Sequence, residues 1–397
     1  MAPGRPVLVT DERWRKGLSA VRALGRRGVR VLTVDSTRLV AARWSRYVAR
    51  HLVLPAPATA AEAFVSGIIE LAAREPGLVV FPMEDVTLSA LAGVRARLGS
   101  VMLPIPTTEA IDVALDKQAT TARAQALGIP TPRTADPADA TALAEAVRHV
   151  GLPLVVKPRR GWGSQGVAVV EQPELVEPTY RRIAASFPRP ILQERIPPGG
   201  RAFGVSCLFN MAGELRATFV HQRLREYPRT GGPSTLRVSV ERPDLVAQSA
   251  RLLTSLGWRG FAMVEWKTDP RDGVPRLLEV NPRFVGSLEL ALVSGVDFPW
   301  LLYQVATTGD CPLVETYRVG QLCRWLLPGD LLHFLSNPDR WRLEPSFFRF
   351  RRPDLAYDDW AGDDPLPSLV QVGLVGLQAL RPAMWRYVVT RSTPLPG

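Results

Sequence analysis

Residues 261–283, FAMVEWKTDPRDGVPRLLEVNPR, carry two glutamates, an asparagine and an arginine on two apolar runs that flank a Pro/Asp/Gly turn. This pattern predicts a β-hairpin centred near Asp272. In a symmetric hairpin Glu265 stands directly opposite Glu279, and Asn281, two residues on, shares the face of Glu279. Opposed carboxylates destabilise a strand pair unless something cationic lies between them. Two carboxylates and an amide offer the hard oxygen ligands that Mg²⁺ prefers, with phosphate oxygens completing its octahedron. Arg283 follows on the face of Asn281, placed to meet phosphate oxygens with both arms of its guanidinium. The plainer alternative is an exposed polar face on which Arg283 only neutralises Glu279.

A second segment, LPLVVKPRRGWGSQGVAVV at 152–170, ends an apolar strand on Lys157 and continues into a loop holding Gly161, Gly163, Ser164 and Gly166. Glycines let backbone N–H groups converge on phosphate oxygens, and a strand-held lysine supplies a point charge. The order is not that of a Walker A loop, because the lysine precedes the glycines and a strand follows them. A ligand-free glycine turn is the alternative. Two weaker pieces accompany it. Asp116-Lys117 begins a second unit, and Gln193-Glu194-Arg195-Ile196 leads into Pro197-Pro198-Gly199-Gly200 as an extended segment able to pair an adenine edge.

The elements that must position these residues read as an α/β chain. Strands are expected at 6–10, 29–34, 51–54, 78–81 and 101–103, with helices at 14–27, 59–74 and 86–98, a βαβ rhythm that implies a parallel sheet. Asp35 ends the second strand where a ribose-binding acid would sit, but the first turn, Thr10-Asp11-Glu12-Arg13-Trp14, has no glycine. A Rossmann-like fold without nicotinamide binding is therefore expected. Helical patterning over 107–128 ends at Gly128-Ile129-Pro130. A helix at 139–150 precedes β runs at 154–157 and 167–170. The stretch from 191 to about 285 is mostly strand, and helical patterning resumes over 288–306.

The chain has 397 residues, 46% of them hydrophobic, enough for two or three domains with substantial cores. Disorder and disulfide-scaffold architectures are excluded. Its charge of +11 comes from 45 arginines and only four lysines, Lys16, Lys117, Lys157 and Lys267. The arginines are dispersed, so nucleic acid is not an expected partner. Three cysteines and four histidines lack metal-ligand spacing, and the odd, sparse cysteine count suits reduced thiols. With no signal-peptide pattern and no apolar run of 18 residues, a soluble cytoplasmic protein is expected.

Taken in order, the four pieces resemble the ATP-grasp superfamily over about residues 5–310, most strongly in VEWK…LLEVNPR and in the lysine with its glycine loop. The resemblance implies a Rossmann-like domain (1–115), an ATP lid (116–190), an α+β catalytic unit (191–320) and a C-terminal extension (321–397). It also implies ATP, with one or two Mg²⁺ (or Mn²⁺) held by Glu265, Glu279 and Asn281. Lys117 and Lys157 would contact the α/β-phosphates, and the 161–166 loop would close over the β/γ-phosphates. Gln193, Glu194, Arg195 and Ile196 would receive adenine, with Glu194 nearest base or ribose, and Arg283 would steady the transferring phosphoryl group. HQRLREYPRTGGPSTLRVS (221–239) resembles predicted carboxylate–amine ligases of the D-aspartate ligase-like branch. By that likeness Arg225, Gly231 and Gly232 face the acyl-phosphate site, with Arg223, Arg229 and Arg237 as neighbours.

The implied activity is ATP-dependent C–N bond formation between small carboxylate and amine substrates, amino acids among them. Two alternatives stand beside it. One is bicarbonate activation of the biotin carboxylase or carbamoyl-phosphate kind, although no biotin-carrier or glutaminase segment is present. The other is a non-catalytic nucleotide- or polyanion-binding module. The stretch 369–391 reads as a helix packed on the core, or as an interfacial helix bringing Trp385 and Tyr387 near a membrane. A homodimer is compatible with all three readings.

Overall fold

The computed structural model describes residues 4–161, 166–229 and 231–379. The first unit runs β1 (Val7–Thr10), α1 (Arg15–Arg26), β2 (Val31–Asp35), β3 (Val48–Val53), α2 (Ala61–Arg74), β4 (Val79–Phe81) and α3 (Asp85–Ala92). Its four strands are all parallel, in the order β3-β2-β1-β4. The apolar runs alternate faces. Val7 and Val9 pack with Val21 and Leu24 on one side, whereas Leu8 packs with Phe64 and Ile68 on the other. Both faces of a parallel sheet are thereby covered, as such sheets require. The strand expected at 101–103 is reduced to a single bridge between Met102 and Val79.

The helical stretch at 107–128 is two helices, α4 (Thr108–Leu115) and α5 (Lys117–Ala126), broken at Asp116. The carboxylate of Asp116 accepts from the backbone N–H groups of Gln118 and Ala119 at 3.0 and 3.1 Å, so it caps the new helix. A second, antiparallel sheet follows, built from β5 (Thr134–Ala135), β6 (Leu154–Lys157), β7 (Ala168–Val170) and β8 (Ile191–Glu194) in the order β5-β8-β6-β7. Helices α6 (Ala140–Val150) and α7 (Val176–Ala184) contribute to its core.

The third sheet has seven strands in the order β13-β12-β9-β10-β11-β14-β15. They are β9 (Ala202–Phe209), β10 (Leu215–Glu226), β11 (Ser234–Ser239), β12 (Gly260–Thr268), β13 (Pro275–Asn281), β14 (Leu322–Arg324) and β15 (Leu355–Tyr357). Helix α8 (Pro243–Ser255) interrupts the run read as mostly strand. It buries Leu245, Leu252 and Leu253 against Trp258 and Trp266, and the indole of Trp266 donates to Ser249 at 3.0 Å. The helical run at 288–306 divides into α9 (Leu288–Ser294) and α10 (Phe298–Thr308) at Gly295, whose φ of +105° ends the first. Beyond residue 320, β14 and β15 extend the large sheet, joined by α11 (Leu331–Ser336), and α12 (Leu366–Ala379) follows.

Candidate active site

Strands β12 and β13 pair in the register expected from the turn. Glu265 lies opposite Glu279, Val264 opposite Val280 and Met263 opposite Asn281. A bulge follows Glu265, so the ladder toward the turn is shifted by one residue. Three cations surround the two carboxylates. Arg223 on β10 reaches Glu265 at 2.5 Å, and Lys117, at the start of α5, lies 3.5 Å from Glu279. Lys157, at the end of β6, acts on both carboxylates electrostatically.

This packing explains the electrostatics. Burial raises Glu265 above the usual carboxylate range, with Arg223 opposing and Glu279 reinforcing the rise. Burial also pushes Glu279 up, but Lys117, Lys157 and Arg223 together hold it below the ordinary range. Burial, followed by the charge of Lys117, brings the Lys157 amine down to about 8. Gly204 on β9 stands between Glu265 and His221, pairing with both. A Cβ there would lie 2.3 Å from the His221 ring, so only glycine permits this approach. His221 is held neutral, well below its usual range, first by burial and then by Arg223 and Arg237.

The second sheet faces this hairpin. Lys157 Nζ donates to Gln193 Oε1 at 2.7 Å, across β6 and β8, and Gln193 donates in turn to Thr134 at 2.9 Å. Lys117 Nζ donates to the carbonyl of Gly161 at 2.8 Å, which ties the entry of the glycine loop to β13 through Glu279. Arg159 bonds Asp116 at 2.6 and 2.7 Å and Asp136 at 2.7 Å. Gly166 closes the loop at φ +66°, and a Cβ there would meet Phe187 at 2.8 Å. Gly163 and Ser164 lie outside the described residues.

Residues 186–325 match the family described as ATP-grasp in the biosynthetic pathway with Ter operon. The chain is 27% identical over 222 residues to D-alanine–D-alanine ligase of Ralstonia nicotianae, covering 51% of this chain and 65% of that enzyme. The chain spans less than two thirds of the length of this relative and of others it matches. In fold it is similar to biotin carboxylase of Campylobacter jejuni, with a TM-score of 0.68, 18% identity, and 80% and 74% of the two chains covered. It is likewise similar to L-amino acid ligase of Bacillus licheniformis, with a TM-score of 0.60, 19% identity, and 79% and 76% covered. The chain carries an ATP-grasp domain.

Within this ATP-grasp frame several expected residues stand elsewhere than the sequence suggested. Arg225 does not face the carboxylates. It lies buried, bonding Asp330 at 2.9 Å and the carbonyl of Pro345. The physical reason is local, since the pairing of β10 with β11 is irregular on both sides of Arg225, so alternation from Arg223 fails there. Arg223 is the arginine at the site. Glu194 is paired within the protein, held by Arg133 at 3.2 Å and by Arg271 at 2.6 Å. Gln193 is the segment's side chain that reaches Lys157. Arg195 pairs with Glu171 at 2.6 Å, and Ile196 is buried. Gly231, with φ +128°, and Gly232 sit in the turn between β10 and β11, where a Cβ on Gly232 would lie 2.4 Å from the Tyr227 carbonyl.

Arg283 is engaged by a residue the sequence did not point to. Asp85, at the start of α3, binds it bidentately at 2.7 and 3.0 Å. The adjoining Glu84 pairs with the buried Lys16 at 2.6 Å. The one available signal for this cluster was the scarcity of lysine, which marked Lys16 alongside Lys117 and Lys157.

Proposed function

We propose that this chain is an ATP-dependent carboxylate–amine ligase forming an amide or peptide-like bond, with release of ADP and phosphate. The observation that carries the reading is the opposed pair Glu265 and Glu279 within a ring of Lys117, Lys157 and Arg223. Opposed carboxylates held by cations are a site built for charge exchange, in which an incoming cation and polyanion replace the internal ion pairs. The donor set of two carboxylates and the Asn281 amide oxygen, all hard oxygen ligands, fits Mg²⁺. Glu265, Glu279 and Asn281 would hold the metal, which neutralises phosphate charge and orients the phosphoryl group.

The reading gives the other groups the following roles. Lys117 and Lys157 bind the phosphates of ATP, and the 161–166 loop covers them. The Gln193–Ile196 segment receives adenine through its backbone. Arg223 and Arg283 face the transferring phosphoryl group and the acyl-phosphate that results, stabilising charge that develops there. Excluding water protects that activated carbonyl until the amine attacks.

The test is an ADP-release screen of amino acids, singly and in pairs, with Mg-ATP. Release that needs a carboxylate and an amine together, with an amide product by mass, supports the reading. Release stimulated by bicarbonate without an amine overturns it in favour of bicarbonate activation. Mg-ATP that is neither bound nor hydrolysed in any mixture removes the catalytic reading.

A further inference from the structure

The segment between α11 and β15 forms a surface that the proposed reaction does not use. Trp341 is 74% exposed and Phe348 54%, and they stack with ring centroids 5.8 Å apart and 15° between their planes. Both rest on buried rings, since Phe348 meets Phe334 and Phe347 edge-on at 5.5 and 5.4 Å. Arg324 lies over Phe347 at 4.4 Å, which fixes that base to the large sheet. Phe350 and Leu335 enlarge the exposed apolar patch. Large exposed aromatics held rigidly in one patch mark an interaction surface.

Charge selects the partner. Residues 340–352 hold five arginines against one acid, Glu344. Among the described residues Arg342, Arg349 and Arg351 form no ion pair, whereas most other described arginines do. A second copy seated on this patch would oppose the same arginines to each other. Residues 380–397, outside the described part, hold three arginines and no acid, so charge disfavours that segment as a cover too. The occupant must therefore be anionic and must also accept aliphatic surface. Leu335, exposed on α11 beside Phe334, is the aliphatic part of the patch, and helix α12 contacts the 326–330 turn that leads into α11. Helix α12 has no charged residue and exposes Leu369 and Val372. Nucleobases would satisfy the arginines and the rings but not these aliphatic side chains.

We propose that the Trp341–Phe348 patch, with Arg342, Arg349 and Arg351, docks the protein on an anionic lipid surface. The rings enter the headgroup boundary and the arginines meet lipid phosphates. This inference does not depend on the ligase reading.

The full chain is sedimented with vesicles of phosphatidylcholine alone and with vesicles that also contain phosphatidylglycerol. Binding is expected only with phosphatidylglycerol. It is expected to fall at least about tenfold in Trp341→Ala/Phe348→Ala, and again in Arg342→Gln/Arg349→Gln/Arg351→Gln, because each arginine near an anionic surface contributes measurably. Circular dichroism melts establish that each variant is folded. Equal binding to both vesicles, binding unchanged in both folded variants, or no vesicle binding overturns the proposal. So do tight binding of a single-stranded oligonucleotide in place of vesicles and a dimer that the Trp341/Phe348 variant abolishes.

Discussion

Asp85 grips Arg283 with both carboxylate oxygens, at 2.7 and 3.0 Å, and so joins the first helix turn of α3 to the strand that carries Glu279 and Asn281. The pair is largely buried, with side-chain exposures of 13% and 9%. Asp85 therefore fixes where the Arg283 guanidinium points. In Asp85→Asn one charge and the fork geometry are lost, and folding stability is expected to drop by about 2–3 kcal/mol, since one buried partner is left uncompensated. ADP release should slow at least about tenfold at saturating ATP, while Asp85→Glu recovers part of that rate. Steady-state kinetics beside a thermal melt separates the two effects.

Arg223 and Arg225 are expected to behave oppositely. Arg223 touches Glu265, whereas Arg225 is buried against Asp330. Arg223→Met should remain folded and lose at least about tenfold in turnover, the order expected when a preorganised cation is removed from developing charge. Arg225→Met should lower stability by about 3 kcal/mol, because Asp330 keeps only part of its buried partnership. Its activity per folded molecule should stay near that of the parent. Chemical denaturation and turnover measured on the same samples distinguish them.

Glu289 gives a pH signature independent of the site. Burial raises its carboxyl to about 7, against smaller lowering by a Ser19 hydrogen bond and by Arg22 and Arg26. The folded state thus keeps a proton that the unfolded state releases between about 4.5 and 7. Stability is then present below pH 4.5 and is lost as pH rises through 7. Glu289→Gln should be more stable than the parent at pH 8 by roughly 1–3 kcal/mol and nearly equal to it at pH 4. Denaturant midpoints of the two proteins at both pH values check this.

Lys157 and Gln193 meet at 2.7 Å beside the glycine loop. Lys157→Met should weaken ATP binding at least about tenfold, as loss of a charge-assisted phosphate contact implies. Titration calorimetry with a non-hydrolysable ATP analogue measures it without dependence on turnover.

Local patterns made part of this site legible. The Glu265–Glu279 register follows from two apolar runs placed symmetrically about Asp272, and it holds at the carboxylates although a bulge shifts the ladder nearer the turn. Lys157 and the 154–157 strand were equally plain, because an apolar run ending at a lysine and glycines is a local signal. What escaped was set by distance or by irregular backbone. Asp85 lies 198 residues from Arg283 in the chain. The break in strand pairing between Arg223 and Arg225 leaves no trace in alternation, so the sequence does not show that Arg223, and not Arg225, reaches Glu265. Helix α8 was hidden within a strand-rich run, and β14 and β15 are three residues each, too short to show a period.

The most direct measurement is ADP release by Glu279→Gln with Mg-ATP and a productive pair of substrates, beside a melt confirming that it folds. The swap keeps the size of the side chain and removes the charge that Lys117, Lys157 and Arg223 surround. If Glu265 and Glu279 hold the metal for phosphoryl transfer, ADP and amide formation should both vanish into background while the fold persists. A folded Glu279→Gln protein that still makes the amide at the parent's rate would contradict the account.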